Sequence, residues 1–150
     1  MVRIRQMTNA DFSFVQNLAG EEKTFTVPSE YILWMLHKLY PEVCLVVVNS
    51  DENQIGYLIG LINDTEHTLF IWQLAVTPRG GEEDAATSLL EQVKQVMVNK
   101  NLTRLSFTMQ SRVARLWGYQ AGLRVFGALP EQCGDGINGE PEYTLCLKQT

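Results

Sequence analysis

Three strand-length apolar runs lie almost end to end: Cys44–Val48, residues 55–62 and Thr68–Val76. Only residues 49–53 (Asn-Ser-Asp-Glu-Asn) and 63–66 (Asn-Asp-Thr-Glu) separate them. Gaps of that composition make turns, and turns that short join antiparallel neighbours, so the runs predict a meander. A long amphipathic segment follows. Residues 84–98 set Ala86, Leu89, Leu90, Val93, Val96 and Met97 on one stripe, with Gln92, Lys94 and Gln95 mostly off it. Residues 102–108 then read as a strand. Strand, helix and strand in that order predict a parallel pair joined by a right-handed crossover. The chain is therefore expected to form a mixed, mostly antiparallel sheet of six or seven strands, with helices flanking it and one parallel pair inside it.

The flanks complete this order. Residues 2–5 alternate as a half-buried strand does. Thr8-Asn-Ala-Asp11 has the spacing of a capping box, and Phe12, Val15 and Leu18 give the following helix its buried stripe. Residues 20–26 are polar and read as a loop. Pro28 suits the first turn of a second helix, in which Ile32, Leu36 and Leu39 recur at helical spacing with Leu33 and Met35 beside them; Pro41 ends it. Further on, residues 113–121 predict a short helix ended by Gly122, residues 123–128 a strand, residues 133–141 a loop with Asp-Gly and Asn-Gly turn signals, and residues 143–147 a last strand.

Composition removes several function classes. The length of 150 residues suits one domain, and 45% hydrophobic against 19% charged residues suits a packed core. Seventeen acids against twelve bases leave a net charge of −5, opposite to the basic face that nucleic acid requires. No apolar run is long enough to span a bilayer, and no apolar segment follows Met1 to mark a signal peptide. Cys44, Cys133 and Cys146 are an odd, sparse set with no CxxC spacing, which suggests a reduced cytoplasmic protein without a disulfide framework. His37 and His67 have no ligand-like spacing, so no metal is expected. Trp34, Trp72 and Trp117 read most simply as core aromatics, and Cys44 and Cys146 as small core residues.

The whole order of elements resembles the GNAT N-acetyltransferase superfamily. The most similar stretch is Leu74-Ala-Val-Thr-Pro78, then a glycine-containing loop, then a helix carrying Leu89 and Leu90. In that family the strand ends in apolar-x-Val-x-Pro and the loop cradles the coenzyme A pyrophosphate at a helix N-terminus, where free N–H groups and the helix dipole favour anions. The resemblance implies acetyl-CoA as co-substrate and a small-molecule amine as acceptor. It assigns coenzyme binding to Leu74, Val76, Arg79, Gly80, Gly81 and Ala86, with Leu74 and Val76 acting through their main-chain amides. A second match, residues 114–123, is similar to the family's helix ending in Gly-Phe. It points to Tyr119, one residue past the family's tyrosine position, as the acid that protonates the leaving thiolate, with packing or surface exposure as its other reading. Ser111 falls where the family often has Asn, and otherwise reads as a helix cap. Thr68–Val76 is also similar to the same strand in diaminobutyrate acetyltransferases, which puts Trp72 in a substrate pocket. A base must take the acceptor's proton; Asp64, Glu66, His67 and Glu142 are the nearby candidates, each otherwise a solvated residue. The expected partners are the amine and at most a second copy of the chain, with no nucleic acid and no membrane.

The loop departs from the family's pattern. Gly81 stands where the family has Arg or Gln, and Asp84 where it has its first glycine; Ala86 matches the last position. Glu82, Glu83 and Asp84 suit a helix cap, but they would repel a phosphate by about 4 kcal/mol per pair of unit charges about 4 Å apart at an effective dielectric near 20. Two functions therefore stand: an N-acetyltransferase, or a GNAT-like binding or regulatory module with lost or weakened coenzyme A binding. The double substitution Glu82→Gly, Asp84→Gly removes two charges and restores glycine near the family's positions. Coenzyme A affinity is expected to rise tenfold or more, about 1.4 kcal/mol, while the helix loses on the order of 1 kcal/mol. Calorimetric titration and thermal melting read the two effects separately.

Overall fold

A computed structural model describes residues 2–21, 26–77, 82–108 and 119–147. The chain runs β1 (Arg3–Gln6), a 3-10 turn (Asn9–Asp11), α1 (Phe12–Glu21), α2 (Glu30–Leu39), a second 3-10 turn (Pro41–Val43), β2 (Cys44–Val48), β3 (Gln54–Asn63) and β4 (Thr68–Val76). It continues through α3 (Glu82–Lys100), β5 (Arg104–Thr108), α4 (Tyr119–Phe126), β6 (Glu131–Ile137) and β7 (Glu140–Cys146). The strands form one sheet in the order β1-β2-β3-β4-β5-β7-β6. Only β4 and β5 run parallel; every other neighbouring pair is antiparallel. The mixed sheet, the meander β2-β3-β4 and the crossover through α3 are as the sequence predicts.

Two apolar layers cover the sheet. On one face Leu89, Val93, Val96 and Met97 of α3 and Val125 and Phe126 of α4 pack on Leu45, Leu58, Leu69, Leu105 and Leu145. On the other, Phe12, Val15 and Leu18 of α1 and Leu33 and Leu36 of α2 pack on Val46, Tyr57, Ile59 and Ala75. Each fully buried aliphatic side chain contributes roughly 1.5–3 kcal/mol. Among the described residues, no helix is long and apolar enough to cross a membrane.

Several local expectations are corrected. α1 runs on through Glu21, past the expected loop start at Gly20. Pro28 stands before the cap of α2 rather than inside its first turn, because the Ser29 hydroxyl accepts the Ile32 N–H at 3.2 Å. α2 buries Leu33 and Leu36 but leaves Ile32, Trp34 and Leu39 exposed, so Trp34 is not a core aromatic. Glu82 and Glu83 lie inside α3 rather than ahead of it. Helix 113–121 falls largely outside the described residues, as do Ser111 and Trp117. α4 passes straight through Gly122, where an added Cβ would come within 3.3 Å of Leu145 Cδ1, and ends at Gly127, whose φ is +73°. Residues 123–126 are therefore helix, not strand. The expected loop 133–141 is a hairpin. Asn138 (φ 54°) and Gly139 (φ 76°) supply the left-handed pair that a two-residue turn needs, and β6 and β7 close over it. Cys146, at the end of β7, is exposed.

Asp11 ties β1 to the start of α1. It is fully buried, and its two oxygens accept from Arg5 at 2.7 Å each. They also accept from the Thr8 N–H at 2.8 Å, as the capping-box spacing anticipates, and from Gln54 Nε2 of β3 at 2.7 Å. Burial by itself would raise its pKa, but the hydrogen bonds from Arg5, Thr8 and Gln54 together outweigh burial and hold the carboxyl down at about 2, against 3.8 unperturbed. The folded value lies below the unfolded one. The group's contribution, roughly 2 kcal/mol, is therefore fully present above about pH 4 and is lost as pH falls through about 2. Asp11→Asn is expected to lower stability by about 2 kcal/mol at pH 7 and to flatten the acid limb of the stability curve, as read by denaturant unfolding between pH 2 and 7.

Candidate active site

Strands β4 and β5 part company halfway along. Their parallel pairing runs from Thr68↔Arg104 to Ile71↔Phe107 and stops there, while β4 stays paired with β3 as far as Val76. The Thr77 N–H reaches Ile55 O at 2.8 Å. In an antiparallel ladder the N–H and C=O of one residue point the same way, and successive residues alternate. Thr77 and Ala75 therefore bond to β3, and the N–H groups of Leu74 and Val76 face the opposite edge, where no described residue of β5 pairs with them. Two of the residues singled out from the sequence thus present main-chain donors along an open edge.

A bulge at Trp72 decides which side chains border that edge. Ile59 pairs with Gln73 and Gly60 with Ile71, so Trp72 has no partner on β3. The extra residue exchanges the two faces of the strand. Before it, Leu69 and Ile71 pack against α3; after it, Leu74 and Val76 do, and Ala75 turns to α1 and α2. Trp72, half-buried, packs on the α1/α2 side. Gln73 is only 3% exposed and is hydrogen-bonded at both ends: Tyr57 OH donates to its Oε1 at 2.8 Å, and its Nε2 donates to Thr26 O at 2.7 Å.

One carboxylate borders the same region. Thr108 pairs with Glu142, so Glu142 lies at the level of Trp72, one residue beyond the last β4–β5 pair. Two strand spacings, about 10 Å, separate them. Leu105 and Leu145 face α3, so Ser106 and Glu142 face the α1/α2 side; Ser106 Oγ donates to Glu142 Oε2 at 2.5 Å. Cys133 of β6 is nearby. Burial first and the Glu142 charge second push its thiol pKa up, which disfavours a thiolate nucleophile. Burial likewise pushes Cys44 up to about 12. Asp64, Glu66 and His67 sit in the turn at the other end of β4, exposed and remote from the opening. Among the described residues, no group of acids, histidines and cysteines could hold a metal.

α3 is the element that follows β4 in the chain. The first four N–H groups of a helix have no partner inside it; here they belong to Glu82, Glu83, Asp84 and Ala85. Asp84 is exposed and Ala86 fully buried. Arg79, Gly80 and Gly81 lie outside the described residues. Tyr119 opens α4, and its side chain lies outside the description. Sequence reasoning missed the bulge, the Tyr57–Gln73–Thr26 chain and the Ser106–Glu142 pair. The one available signal was Gln73 itself, a large amide within an otherwise apolar and aromatic stretch.

Comparison with known proteins bears on the family and the fold. The model of the acetyltransferase (GNAT) family matches residues 2–118, and the chain belongs to that family. It is 21% identical over 134 residues to the L-2,4-diaminobutyric acid acetyltransferase of Nocardia farcinica (strain IFM 10152), covering 89% of this chain and 66% of that protein's length. Among solved structures it shares the fold of Ard1 from Thermoplasma volcanium (TM-score 0.76, 15% identity, 99% of each chain). It also shares that of the diaminobutyrate acetyltransferase EctA from Paenibacillus lautus, solved with L-2,4-diaminobutyric acid and coenzyme A (TM-score 0.73, 19% identity, 98% of this chain and 95% of that one).

Gly56 stands opposite Val76, and a Cβ there would meet Ala75 O and Val76 Cγ1 at 2.8 Å and Val47 Cγ1 at 3.0 Å. Gly56→Ala is expected to cost about 1–3 kcal/mol through overpacking, with the strain falling on the Ala75–Val76 end of β4. Gly60→Ala meets Val43 at 3.2 Å on the far side of the bulge and is expected to cost less. Thermal melts of the two variants make the comparison.

Proposed function

We propose that this chain transfers an acetyl group from acetyl-CoA to the amine of a small molecule or amino acid. The observation that carries the reading is the open edge of β4, with the Leu74 and Val76 N–H groups aimed into it. An extended amide-containing arm such as pantetheine can bond to these donors as a further strand would. The N-terminus of α3 stands next in the chain, where the coenzyme's phosphates would lie. The acceptor then occupies the α1/α2 side, between Trp72 and Glu142. Its neutral nitrogen attacks the thioester carbonyl carbon, the C–S bond breaks, and coenzyme A leaves as a thiol. Two protons must be managed. Glu142, oriented by Ser106, takes the one from the ammonium, directly or through a water. Tyr119 is the proposed donor to the thiolate, and the second proton that the nitrogen sheds as the amide forms restores the Tyr119 hydroxyl.

The similarity to diaminobutyrate acetyltransferases makes a short diamino acid the first acceptor to try. Purified protein with acetyl-CoA and L-2,4-diaminobutyrate, lysine or a polyamine is expected to release free thiol in proportion to amine consumed. Glu142→Gln is expected to lower kcat by about 10²-fold and to leave the Kd for coenzyme A within threefold.

One observation favours the second reading, a coenzyme-deficient module. α3 begins at Glu82, so three acidic residues occupy the turn that would face the phosphates. Under that reading no thiol is released with any amine, and coenzyme A gives no heat of binding.

A further inference from the structure

We propose that Gln73 is the positioning residue that fixes the acceptor side of the site to the strand that would hold the acyl donor. This rests on the acetyltransferase reading above and names a residue that directs acceptor fit without touching the reacting atoms.

Gln73 follows the bulge at once, so its backbone belongs to the open part of β4, while its side chain points to the α1/α2 face. Its amide is buried and spans two elements. Nε2 holds Thr26 O at 2.7 Å, and Tyr57 of β3 holds Oε1 at 2.8 Å. A carbonyl only accepts, so Thr26 fixes the orientation of the amide: the nitrogen must face it. Thr26 begins the segment leading into α2. That segment is held a second time, where Gln16 Nε2 of α1 donates to Pro28 O at 3.0 Å. The segment and the first turns of α2 carry Val27, Tyr31 and Trp34, which are exposed. They lie on the same side of the sheet as Trp72 and Glu142. Among the described residues this buried amide ties the wall to the bulge. Without it, the wall keeps its described anchor to α1 but loses its described anchor to β4.

Three variants test this. Gln73→Leu removes both bonds. Gln73→Glu keeps the shape but sets a carboxylate oxygen against the Thr26 carbonyl. Tyr57→Phe removes the hydroxyl's bond to Gln73 Oε1 and leaves the bond to Thr26. In Gln73→Leu and Gln73→Glu, the amides of Val27, Ser29 and Glu30 are expected to exchange hydrogen at least tenfold faster, with β3 and β4 protection retained. The acceptor KM should rise tenfold or more, for whichever of L-2,4-diaminobutyrate, lysine or a polyamine the wild type acetylates best, while kcat and the coenzyme A Kd stay within threefold. Tyr57→Phe should change KM by less than threefold.

Unchanged exchange at Val27–Glu30 would overturn the tether. Faster exchange with an unchanged KM would overturn the acceptor role. A joint loss of kcat, KM and coenzyme affinity would show damage to β4 instead of positioning, and would also overturn it. A wild type that acetylates none of the amines removes the acetyltransferase reading and the acceptor role with it; the exchange data then decide the tether alone.

Discussion

One extra residue in one strand organises the functional half of this molecule. The bulge at Trp72 lets β4 keep its ladder with β3 while its side chains exchange faces. Without it, Gln73 and Ala75 would continue the row of Leu69 and Ile71 toward α3. With it, the row toward α3 continues in Leu74 and Val76, and Trp72, Gln73 and Ala75 turn to α1 and α2. The parallel pairing with β5 ends at the same level. Opening a sheet leaves N–H groups unpaired, and a buried unpaired donor costs about 1–3 kcal/mol. Among the described residues nothing on the β5 side pairs with that edge of β4, which is why it is the edge proposed to bind a ligand.

The rest of the fold holds that edge still. α3 packs along one face through Leu89, Val93 and Met97, and Lys94 of the same helix donates to Val125 O at the end of α4. At the far edge of the sheet, Asp11 gathers Arg5, Thr8 and Gln54 around one carboxylate. It therefore joins β1, the entry to α1 and the start of β3 with charge-assisted bonds, the stronger class of hydrogen bond. Gly56 allows β3 to approach Val76 more closely than any residue with a Cβ could.

Charge is distributed unevenly about the site. The start of α3 carries three acidic residues, which oppose the attraction that the helix dipole and main-chain donors offer an anion there. In the proposed reaction a carboxylate is useful on the acceptor side, because the acceptor would arrive as an ammonium. Glu142 is the proposed group there, oriented by a short bond from Ser106. Trp72 packs on the α1/α2 face of the sheet, while Trp34 of α2 is exposed and has the Lys38 ammonium 5.3 Å from its ring centre.

The sequence by itself determined what depends on neighbours along the chain. The meander, the buried stripe of α3, the capping spacing at Thr8 and Asp11, the parallel pair and the order of elements all follow from periodicity and turn chemistry. The final strands show where that legibility ends. Gly122 reads as a helix stop, but its backbone is not left-handed and the helix continues through it, with room for a Cβ limited by Leu145 Cδ1 at 3.3 Å. Asn138-Gly139 reads correctly as a turn, but nothing local says that polar, glycine-containing β6 will form a strand; β7 pairs with it and supplies the ladder. Likewise, Leu74 and Val76 are legible from a motif, whereas the direction of their N–H groups is not, because it depends on the register with β3 and on where β5 leaves. The partnerships of Gln73 with Thr26 and of Ser106 with Glu142 join residues 47 and 36 positions apart. Only the tertiary structure decided them, since a one-residue shift in register turns every following side chain to the opposite face.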